Sequence, residues 1–174
     1  MIAHELSSHR LSLVPVTVAS CTAELKENYG LSLLLDADVP GDWPPPLVTK
    51  ETLHEFIGML TDPSSCRLCA WYWILKSDGR SSRPVLIGSG GLYINEDGTC
   101  EIGYSVLEAF QCRGYATEAV GTILDFVFSQ GDFGTVYATT YPHLYPSVRV
   151  LQKNGFIPDG PGKEEGTVRF YIRK

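Results

Sequence analysis

The chain has 174 residues, 44% of them apolar and 20% charged, a balance that fits one folded domain over residues 1–174 and excludes a largely disordered chain. Its formal net charge is −6 and its basic residues form no stripe, which argues against a nucleic-acid partner because binding to nucleic acid depends on neutralising phosphates. No apolar run approaches the roughly 18 residues of a membrane span, and the start (MIAHELSSHR) is unlike a secretory signal, so we expect a cytoplasmic protein without a membrane partner.

The first two thirds of the chain predict the order β-α-α-β-β-β. A strand is expected at 11–17, a helix at 18–28, and a second helix at 52–60, where the apolar residues share one face. The proline- and glycine-rich stretch LLLDADVPGDWPPPL between the helices is predicted to be irregular. Three extended segments joined by turns follow at 66–76, 84–94 and 100–108, which is typical of an antiparallel meander.

The last third predicts a β-α-β crossover and then α-β-β. A helix follows the stretch QCRGYATEA and ends near residue 129, a strand covers 135–141, and a helix covers 146–153 before two final extended segments. Parallel strands at 100–107 and 135–141 would direct their C-terminal ends toward QCRGYATEA. The predicted fold class is mixed α/β (α+β), with a mostly antiparallel central sheet of about seven strands flanked by about four helices.

The five cysteines are odd in number and show no disulfide framework. Cys66 and Cys69 form a C-x-x-C, but the pair leads into a strand-like sequence and not into a helix, whose N-terminus would lower a thiol pKa. Zinc would need two further ligands, and neither a second pair nor H-x-x-x-H stands nearby. We expect buried strand thiols and no metal site, with metal or redox chemistry as the alternative.

The stretch QCRGYATEA (111–119) predicts an anion site. Gln111, Gly114 and Ala116 have the spacing Q-x-x-G-x-A and lead directly into a helix, whose first backbone N–H groups face whatever lies in front of them. The glycines and lysine of a phosphate-binding loop are missing, and so is the G-x-G-x-x-G of a dinucleotide turn. The expected anion is therefore a pyrophosphate held mainly by backbone N–H groups. A protein that binds the phosphates of a nucleotide is the weaker alternative.

Three segments carry a resemblance to a known family: EIGYSV (101–106), QCRGYATEA (111–119) and SVRVLQKNGF (147–156). In this order and at these separations they resemble the GNAT superfamily of acyl-CoA-dependent N-acyltransferases, most closely the branch containing the ribosomal-protein N-terminal acetyltransferases. The segment DWPPP (42–46) also resembles that branch. The resemblance implies a GNAT-like fold and acetyl-CoA-dependent acetylation of a protein N-terminus or a small-molecule amine, with a non-catalytic acyl-CoA-binding module as the alternative.

The resemblance implies two sets of contacts to acetyl-CoA. The loop and helix start would hold the coenzyme A pyrophosphate, through Gln111, Cys112, Arg113, Gly114, Tyr115, Ala116 and Thr117. The preceding strand is expected to splay from its neighbour and to bind the pantetheine arm through its backbone, at Ser105, Val106 and Leu107. Cys112 stands where the branch commonly has glycine, and we interpret it as a small residue whose φ need not be positive and not as a nucleophile.

Acetyl transfer needs a neutral amine, an oxyanion donor and protonation of the leaving thiolate. An α-amine costs about 1.4 kcal/mol to neutralise at pH 7 and a lysine amine more than ~4 kcal/mol, so a modest base suffices for the α-amine. The resemblance implies Glu101 as that base and Ser147 as the acid. The structural alternatives are an exposed strand glutamate and a helix cap.

Two departures affect the predicted acid. Where the resembled branch usually has an asparagine, three residues before the serine, this chain has Leu144, and the neighbouring His143 or Tyr145 could substitute for it. Where many GNAT enzymes have a tyrosine, one turn after the serine, this chain has Leu151.

The acceptor pocket is predicted to form from the segment 36–47, the helix at 50–60 and the loop at 158–166. Residues 1–62 hold nine acidic and three basic residues, so this region either attracts a cationic partner or is a solvated acidic surface. Tyr104, on the strand face opposite Glu101, and Trp43, through cation–π contact, are expected to contact the acceptor. The acidic candidates are Asp36, Asp38, Asp42, Glu164 and Glu165. A homodimer is compatible with the sequence.

Overall fold

The computed structural model describes residues 3–26, 28–46, 48–62, 68–77 and 83–174. The strands are β1 Leu6–Ser7, β2 Leu11–Pro15, β3 Leu68–Leu75, β4 Val85–Ile94, β5 Cys100–Val106, β6 Thr135–Thr140, β7 Ile157–Pro161 and β8 Val168–Arg173. The helices are α1 Val18–Lys26, α2 Asn28–Leu35, α3 Lys50–Thr61, α4 Tyr115–Gln130 and α5 Tyr145–Lys153, and a 3-10 turn covers Glu108–Phe110. The strands form one mixed sheet in the order β1-β2-β3-β4-β5-β6-β8-β7, which confirms the predicted fold class.

Two elements differ from the prediction. Helix α1 matches the helix expected at 18–28, but a further helix, α2, follows it and takes in residues 33–35, which were expected to be irregular. That expectation was wrong because the prolines and glycine begin only at Pro40, while the side chains of Leu31 and Leu35 are buried in the core. Strand β1 was missed because two residues are too few to show a strand period, although it pairs with the neighbouring β2, with Leu6 opposite Leu13 and Ser7 opposite Ser12.

The sheet is covered on both faces, which explains why β3 is buried from Leu68 to Ile74. Helix α4 packs on one face, where Trp71 and Trp73 point, and α1 to α3 pack on the other, where Tyr72 points. Successive residues of a strand face opposite sides, so an uninterrupted apolar run is what a doubly covered central strand requires. None of the helices in the described ranges is both long and apolar enough to pass through a membrane.

Strands β5 and β6 run parallel but are paired only at their beginnings. The pairs are Cys100 with Val136 and Glu101 with Tyr137, whereas β5 pairs with β4 as far as Val106. Beyond residue 101 the β5 backbone groups that point toward β6 therefore have no partner strand. Polar backbone groups need hydrogen-bond partners, so this edge is ready to receive a ligand with donors and acceptors of its own.

Candidate active site

A cavity of about 710 Å³ lies where β5 and β6 part, and we call it the cleft. The second half of β5, the start of α4 and the first turns of α5 line it. Of the residues predicted to bind coenzyme A, eight line the cleft: Ser105, Val106, Gln111, Cys112, Gly114, Tyr115, Ala116 and Thr117. Leu107 and Arg113 are not in its lining, since Leu107 is buried and Arg113 is exposed with its guanidinium over the Phe110 ring.

The start of α4 presents backbone N–H groups to the cleft. Gly114 is the N-cap residue, with φ at +81°, and no side chain caps the helix there. The first N–H groups of the helix are thus left for a ligand, and the helix dipole favours an anionic one. Gln111 Nε2 donates to the Val106 carbonyl at 3.0 Å, which ties the loop to the end of β5.

Cys112 contradicts one expectation. Its φ is +59°, in the left-handed region, although we interpreted it as a residue whose φ need not be positive. Two residues of the loop, Cys112 and Gly114, have a left-handed backbone conformation, and together they direct the helix N-terminus into the cleft. A non-glycine residue in this region costs roughly 1–2 kcal/mol, so Cys112 stores backbone strain at the site.

We expect Gly114→Ala to lower the free energy of unfolding by about 1–2 kcal/mol, because alanine resists a positive φ. The added Cβ would also lie 3.4 Å from the Arg10 guanidinium. Cys112→Gly is the matched comparison. It relieves strain in the folded protein but gives the unfolded chain more conformational freedom. Because these two effects offset each other, its unfolding free energy should change by less than about 1 kcal/mol. Urea unfolding of both variants measures this, and equal destabilisation would contradict the assignment of strain.

Arg10, just before β2, clamps the loop from the far end of the sequence. Its Nε and backbone N–H donate to the two oxygens of Glu118 at 2.6 and 2.7 Å, and its Nη1 donates to the Arg113 carbonyl at 3.0 Å. Its guanidinium also lies 4.4 Å from the centre of the Tyr115 ring. Sequence reasoning missed this clamp, since its partners lie 108 residues apart and only the position of Glu118 in the first turn of α4 offered a signal.

The Glu118 carboxylate is held ionised by its partners. Burial opposes its charge, but the Arg10 backbone N–H, the Ser8 hydroxyl at 2.7 Å and the Arg10 guanidinium together outweigh that effect and lower the Glu118 pKa below its usual value. A carboxylate that accepts hydrogen bonds from a cation and two further donors is a rigid anchor for the first turn of α4.

Tyr104 and Ser147 meet across the cleft. The Tyr104 hydroxyl lies 3.4 Å from Ser147 Oγ and 3.3 Å from the Ser147 carbonyl, and both residues line the cleft. Burial raises the Tyr104 pKa to about 12, a shift that the hydrogen bond to Ser147 partly opposes, so the phenol keeps its proton at neutral pH. Helix α5 begins at Tyr145 with Leu144 as its N-cap, so Ser147 is inside the first turn and is not the cap residue. Two hydroxyls therefore stand together where a proton could be donated.

The two departures noted for α5 lie at the cleft in different ways. Leu144, with 44% of its surface exposed, and Tyr145 line the cleft, whereas His143 is not among the lining residues. Leu151 is buried beneath the cleft. The positions expected to carry polar groups thus present an apolar rim and an apolar floor.

Glu101 lies on the opposite face of β5 from Tyr104, as strand alternation predicts. Asn95 Nδ2 donates to its Oε2 at 3.3 Å, and the Tyr93 hydroxyl is also hydrogen-bonded to it. Burial first, and then the negative charge of Glu101, raise the Tyr93 pKa, so that phenol remains a donor. Glu101 lines neither cavity described here, but Tyr93 links it to the second one.

That second cavity, of about 350 Å³, lies between the sheet and helices α1 and α3, and we call it the side cavity. Gly103, Tyr104 and Ser105 line both the cleft and the side cavity, so the β5 backbone is the wall between them. The space in front of Gly103 is open, with no atom within 4 Å of the place where a Cβ would stand. Two ligands, one from each cavity, can therefore approach one another at β5.

The acidic residues and Trp43, predicted to bind an acceptor, lie elsewhere or are already engaged, whereas Tyr104, also predicted to contact it, lines the side cavity. Arg83 forms ion pairs with Asp36 at 3.2 Å and with Asp38 at 3.4 Å. Asp42 is exposed, whereas Trp43 is only 5% exposed and donates from Nε1 to Glu24 at 2.7 Å. None of the five acidic candidates lines the side cavity, and neither does Trp43. The segment still reaches the site, since Ser105 Oγ donates to the Pro46 carbonyl at 2.6 Å.

The cysteine expectation is only partly within the described residues. Cys69 is buried in β3, and Cys66 lies outside the residues that the structure describes. Cys21 and Cys100 are buried thiols, and burial raises their pKa values to about 11 and about 12. In the described part of the chain no group of three or more His, Cys, Asp or Glu side chains could hold a metal ion.

The splayed parallel strands, with a helix N-terminus facing the gap between them, are the architecture of an acetyltransferase of the GNAT type. The model of the family described as "Acetyltransferase (GNAT) domain" matches residues 10–157, and the chain belongs to this family.

Two curated relatives agree with this membership. The chain is 30% identical over 139 residues to the uncharacterized N-acetyltransferase p20 of Bacillus licheniformis, covering 73% of this chain and 76% of that protein. It is 37% identical over 93 residues to the uncharacterized N-acetyltransferase YnaD of Bacillus subtilis, where the match covers 49% of this chain and about half, 55%, of that protein.

Solved structures share the fold. An acetyltransferase from Agrobacterium tumefaciens has a TM-score of 0.69 at 20% identity, with 98% of this chain and 95% of that chain covered. RimL, the ribosomal L7/L12 α-N-protein acetyltransferase solved with coenzyme A, has a TM-score of 0.69 at 15% identity, with 98% of both chains covered. These similarities show the fold.

Proposed function

We propose that the chain is an acetyl-CoA-dependent N-acetyltransferase that transfers an acetyl group directly to a primary amine. The observation that carries the proposal is the continuous cleft between the unpaired edge of β5 and the N-terminus of α4, which shares the β5 wall with the side cavity. The relatives and neighbours named as N-acetyltransferases support it. A protein N-terminus and a small-molecule amine are both acceptors of the right chemistry.

The residues of the cleft fit coenzyme A. The first N–H groups of α4, left uncapped at Gly114, suit a pyrophosphate, and the unpaired edge at residues 102–106 suits the amides of a pantetheine arm. When bound, acetyl-CoA supplies a thioester, which is an acyl donor toward an uncharged amine. The Arg10–Glu118 pair would keep the loop in its binding conformation, so less order is lost on binding.

The base and the acid are assigned to opposite faces of β5. Glu101 accepts the proton of the amine, through the Tyr93 hydroxyl or a water, on the side-cavity face. Ser147 Oγ, with Tyr104 behind it, holds the proton for the leaving thiolate on the cleft face.

The Tyr104–Ser147 pair yields a test of the acid. We expect Ser147→Ala to lower kcat by about 10²-fold or less, since general acid assistance is worth roughly 10²–10⁴ and Tyr104 remains beside the thiolate position. Tyr104→Phe alone should cost less, and the double variant should lose more than either. Steady-state kinetics of the three variants measures this. Unchanged kcat in the double variant would rule out this pair as the acid.

The proposed function is tested by thiol release from acetyl-CoA over a panel of amines that includes peptides with free N-termini. Turnover that depends on both substrates supports it. Saturable coenzyme binding without turnover on any amine would instead favour a non-catalytic acyl-CoA-binding module. A thermal shift with ATP or NAD but none with acetyl-CoA would favour a nucleotide-phosphate protein.

A cytoplasmic location belongs to the proposal as well. The buried Cys21 and Cys100 remain thiols, which is usual for proteins of a reducing compartment. Fluorescence microscopy of the tagged chain, checked by cell fractionation, tests it.

A further inference from the structure

The side cavity contains a partly buried carboxylate that the proposed reaction does not use. Glu24, on α1, lines this cavity beside apolar side chains, among them Leu53, Phe56 and Met59 of α3. Its two oxygens each accept one hydrogen bond at 2.7 Å, from the Trp43 indole and the Tyr72 hydroxyl. An indole can only donate, so Trp43 requires an acceptor at this position.

Among the residues that the structure describes, no basic side chain forms an ion pair with Glu24. The described residues that line the side cavity include two carboxylates, Glu24 and Glu55, and no lysine, arginine or histidine. Burial raises the Glu24 pKa, although the hydrogen bonds from Tyr72 and Trp43 oppose the shift. A partly buried carboxylate without a counter-charge is costly, and a cationic ligand group would compensate it.

The carboxylate is also open to a ligand. A carboxylate accepts at about four positions, and Trp43 and Tyr72 use only one on each oxygen. Because Glu24 lines the cavity, the remaining positions on its oxygens are within reach of a group that enters there.

The strand register gives a lower bound on the reach that a ligand needs between Glu24 and the wall shared with the cleft. Tyr72 stands opposite Ser89, and Ser89 stands opposite Ser105, on three neighbouring strands. The backbone of Tyr72 is therefore two interstrand spacings, roughly 10 Å, from that of Ser105. Because Glu24 accepts from the Tyr72 hydroxyl, which stands out from the sheet, a ligand held at Glu24 must extend at least about that far to reach the β5 wall.

We propose that the side cavity binds an acceptor with an apolar body and two positive ends: a primary amine that reaches Gly103, and a second cationic group held by Glu24. The proposal rests on the proposed function and names the acceptor class for the same site. Glu24 is then a specificity-determining residue. An acceptor with a negative far end is disfavoured, because the described residues of the lining offer it two carboxylates and no basic side chain.

The test compares amines of equal size. Hexamethylenediamine, n-heptylamine and aminohexanol have the same number of heavy atoms and end in a cation, a methyl group and a hydroxyl. We expect kcat/KM for the diamine to exceed that for n-heptylamine by about tenfold to a hundredfold, the usual range for a hydrogen bond to a charged group, after a factor of two for its equivalent ends. Aminohexanol should lie between them, and aminohexanoic acid should be the poorest.

Glu24→Gln keeps the shape of the side chain and removes its charge, so it should reduce the diamine preference to near unity and leave the KM for acetyl-CoA unchanged. Glu51→Gln, an equal charge loss on α3 outside the lining, is the matched control and should keep the preference. If Glu24 only anchored Trp43 and Tyr72, the variant would lose stability but keep the preference.

The outcomes separate the two proposals. Turnover of all these amines without a diamine preference in the unmodified protein overturns this inference and leaves the proposed function standing. This comparison needs no variant, so it holds even if Glu24→Gln fails to fold. A diamine preference that survives in a folded Glu24→Gln protein overturns the role of Glu24. No thiol release with any amine overturns the proposed function, and this inference with it.

Discussion

Replacing Glu101 with glutamine is expected to lower kcat by about 10²–10⁴-fold, the usual range for general base assistance. Glutamine keeps the size of the side chain and its contacts with Asn95 and Tyr93 but cannot take a proton. The KM for acetyl-CoA should change little, because Glu101 does not line the cleft. Initial rates at saturating acetyl-CoA, measured across pH, test the expectation.

The pH profile separates a base from a positioning residue. The ratio of kcat in the unmodified enzyme to kcat in Glu101→Gln should change with pH if Glu101 accepts the amine proton, and should stay constant if Glu101 only positions the acceptor. Glu5→Gln, at an exposed position before the sheet, is the matched control and should behave like the unmodified enzyme. Tyr93→Phe should show a smaller loss of kcat if the phenol relays the proton. A Glu101→Gln enzyme with an unchanged kcat would remove Glu101 from the mechanism.

The second large effect is expected at the Arg10–Glu118 clamp. Arg10→Ala should lower the free energy of unfolding by about 1.5–3 kcal/mol, since it removes charge-assisted hydrogen bonds from a partly buried carboxylate. It should also raise the KM for acetyl-CoA by about tenfold, equivalent to 1.4 kcal/mol, because the loop would no longer be held in its binding conformation. Chemical unfolding and coenzyme titration measure the two effects.

The control for the clamp is Arg173→Ala, which removes another arginine that lies over a tyrosine ring, in β8. Its exposed side chain does not touch the loop, so both quantities should stay near those of the unmodified protein. A double variant of Arg10→Ala and Glu118→Gln should be little worse than either single change, because both break the same pair. Additive losses would show that the two residues act independently.

The pH dependence of the clamp follows from the direction in which the Glu118 pKa is shifted. The Glu118 pKa is lowered in the folded protein, so its contribution to stability is complete above the ordinary glutamate pKa of about 4.3 and is lost as the pH falls through the folded value. The difference in unfolding free energy between the unmodified protein and Glu118→Gln should therefore be constant near neutral pH. It should shrink in the acidic range below pH ~4.3.

Much of the fold could be predicted because its signals are local. The apolar faces of α3 and α4 and the turn-bounded strands β3 to β5 lie within short windows, and the structure confirms the fold class they indicate. Helix α2 and strand β1 were missed because they are short, with eight and two residues. Local propensity carries little information about such elements, whose stability comes from tertiary packing.

The candidate site divides in the same way. The spacing of QCRGYATEA predicted Gly114 at the start of a helix, since the signals for a helix N-terminus lie within a few neighbouring residues. The positive φ of Cys112 was not foreseen, because the loop geometry is imposed by the strand, the helix and Arg10 together. Trp43 was expected to face an acceptor but is buried against Glu24, since its segment packs on α1.

The sequence by itself determined one wall of the cleft and the family: a strand, a glycine-containing loop and a helix follow one another directly, so their signals are local. Only the tertiary structure decided what surrounds it. The Arg10–Glu118 clamp, the Tyr104–Ser147 pair and the Glu24 carboxylate each join residues far apart in the chain. The free energy of such contacts depends on packing and burial, which no short stretch of sequence contains.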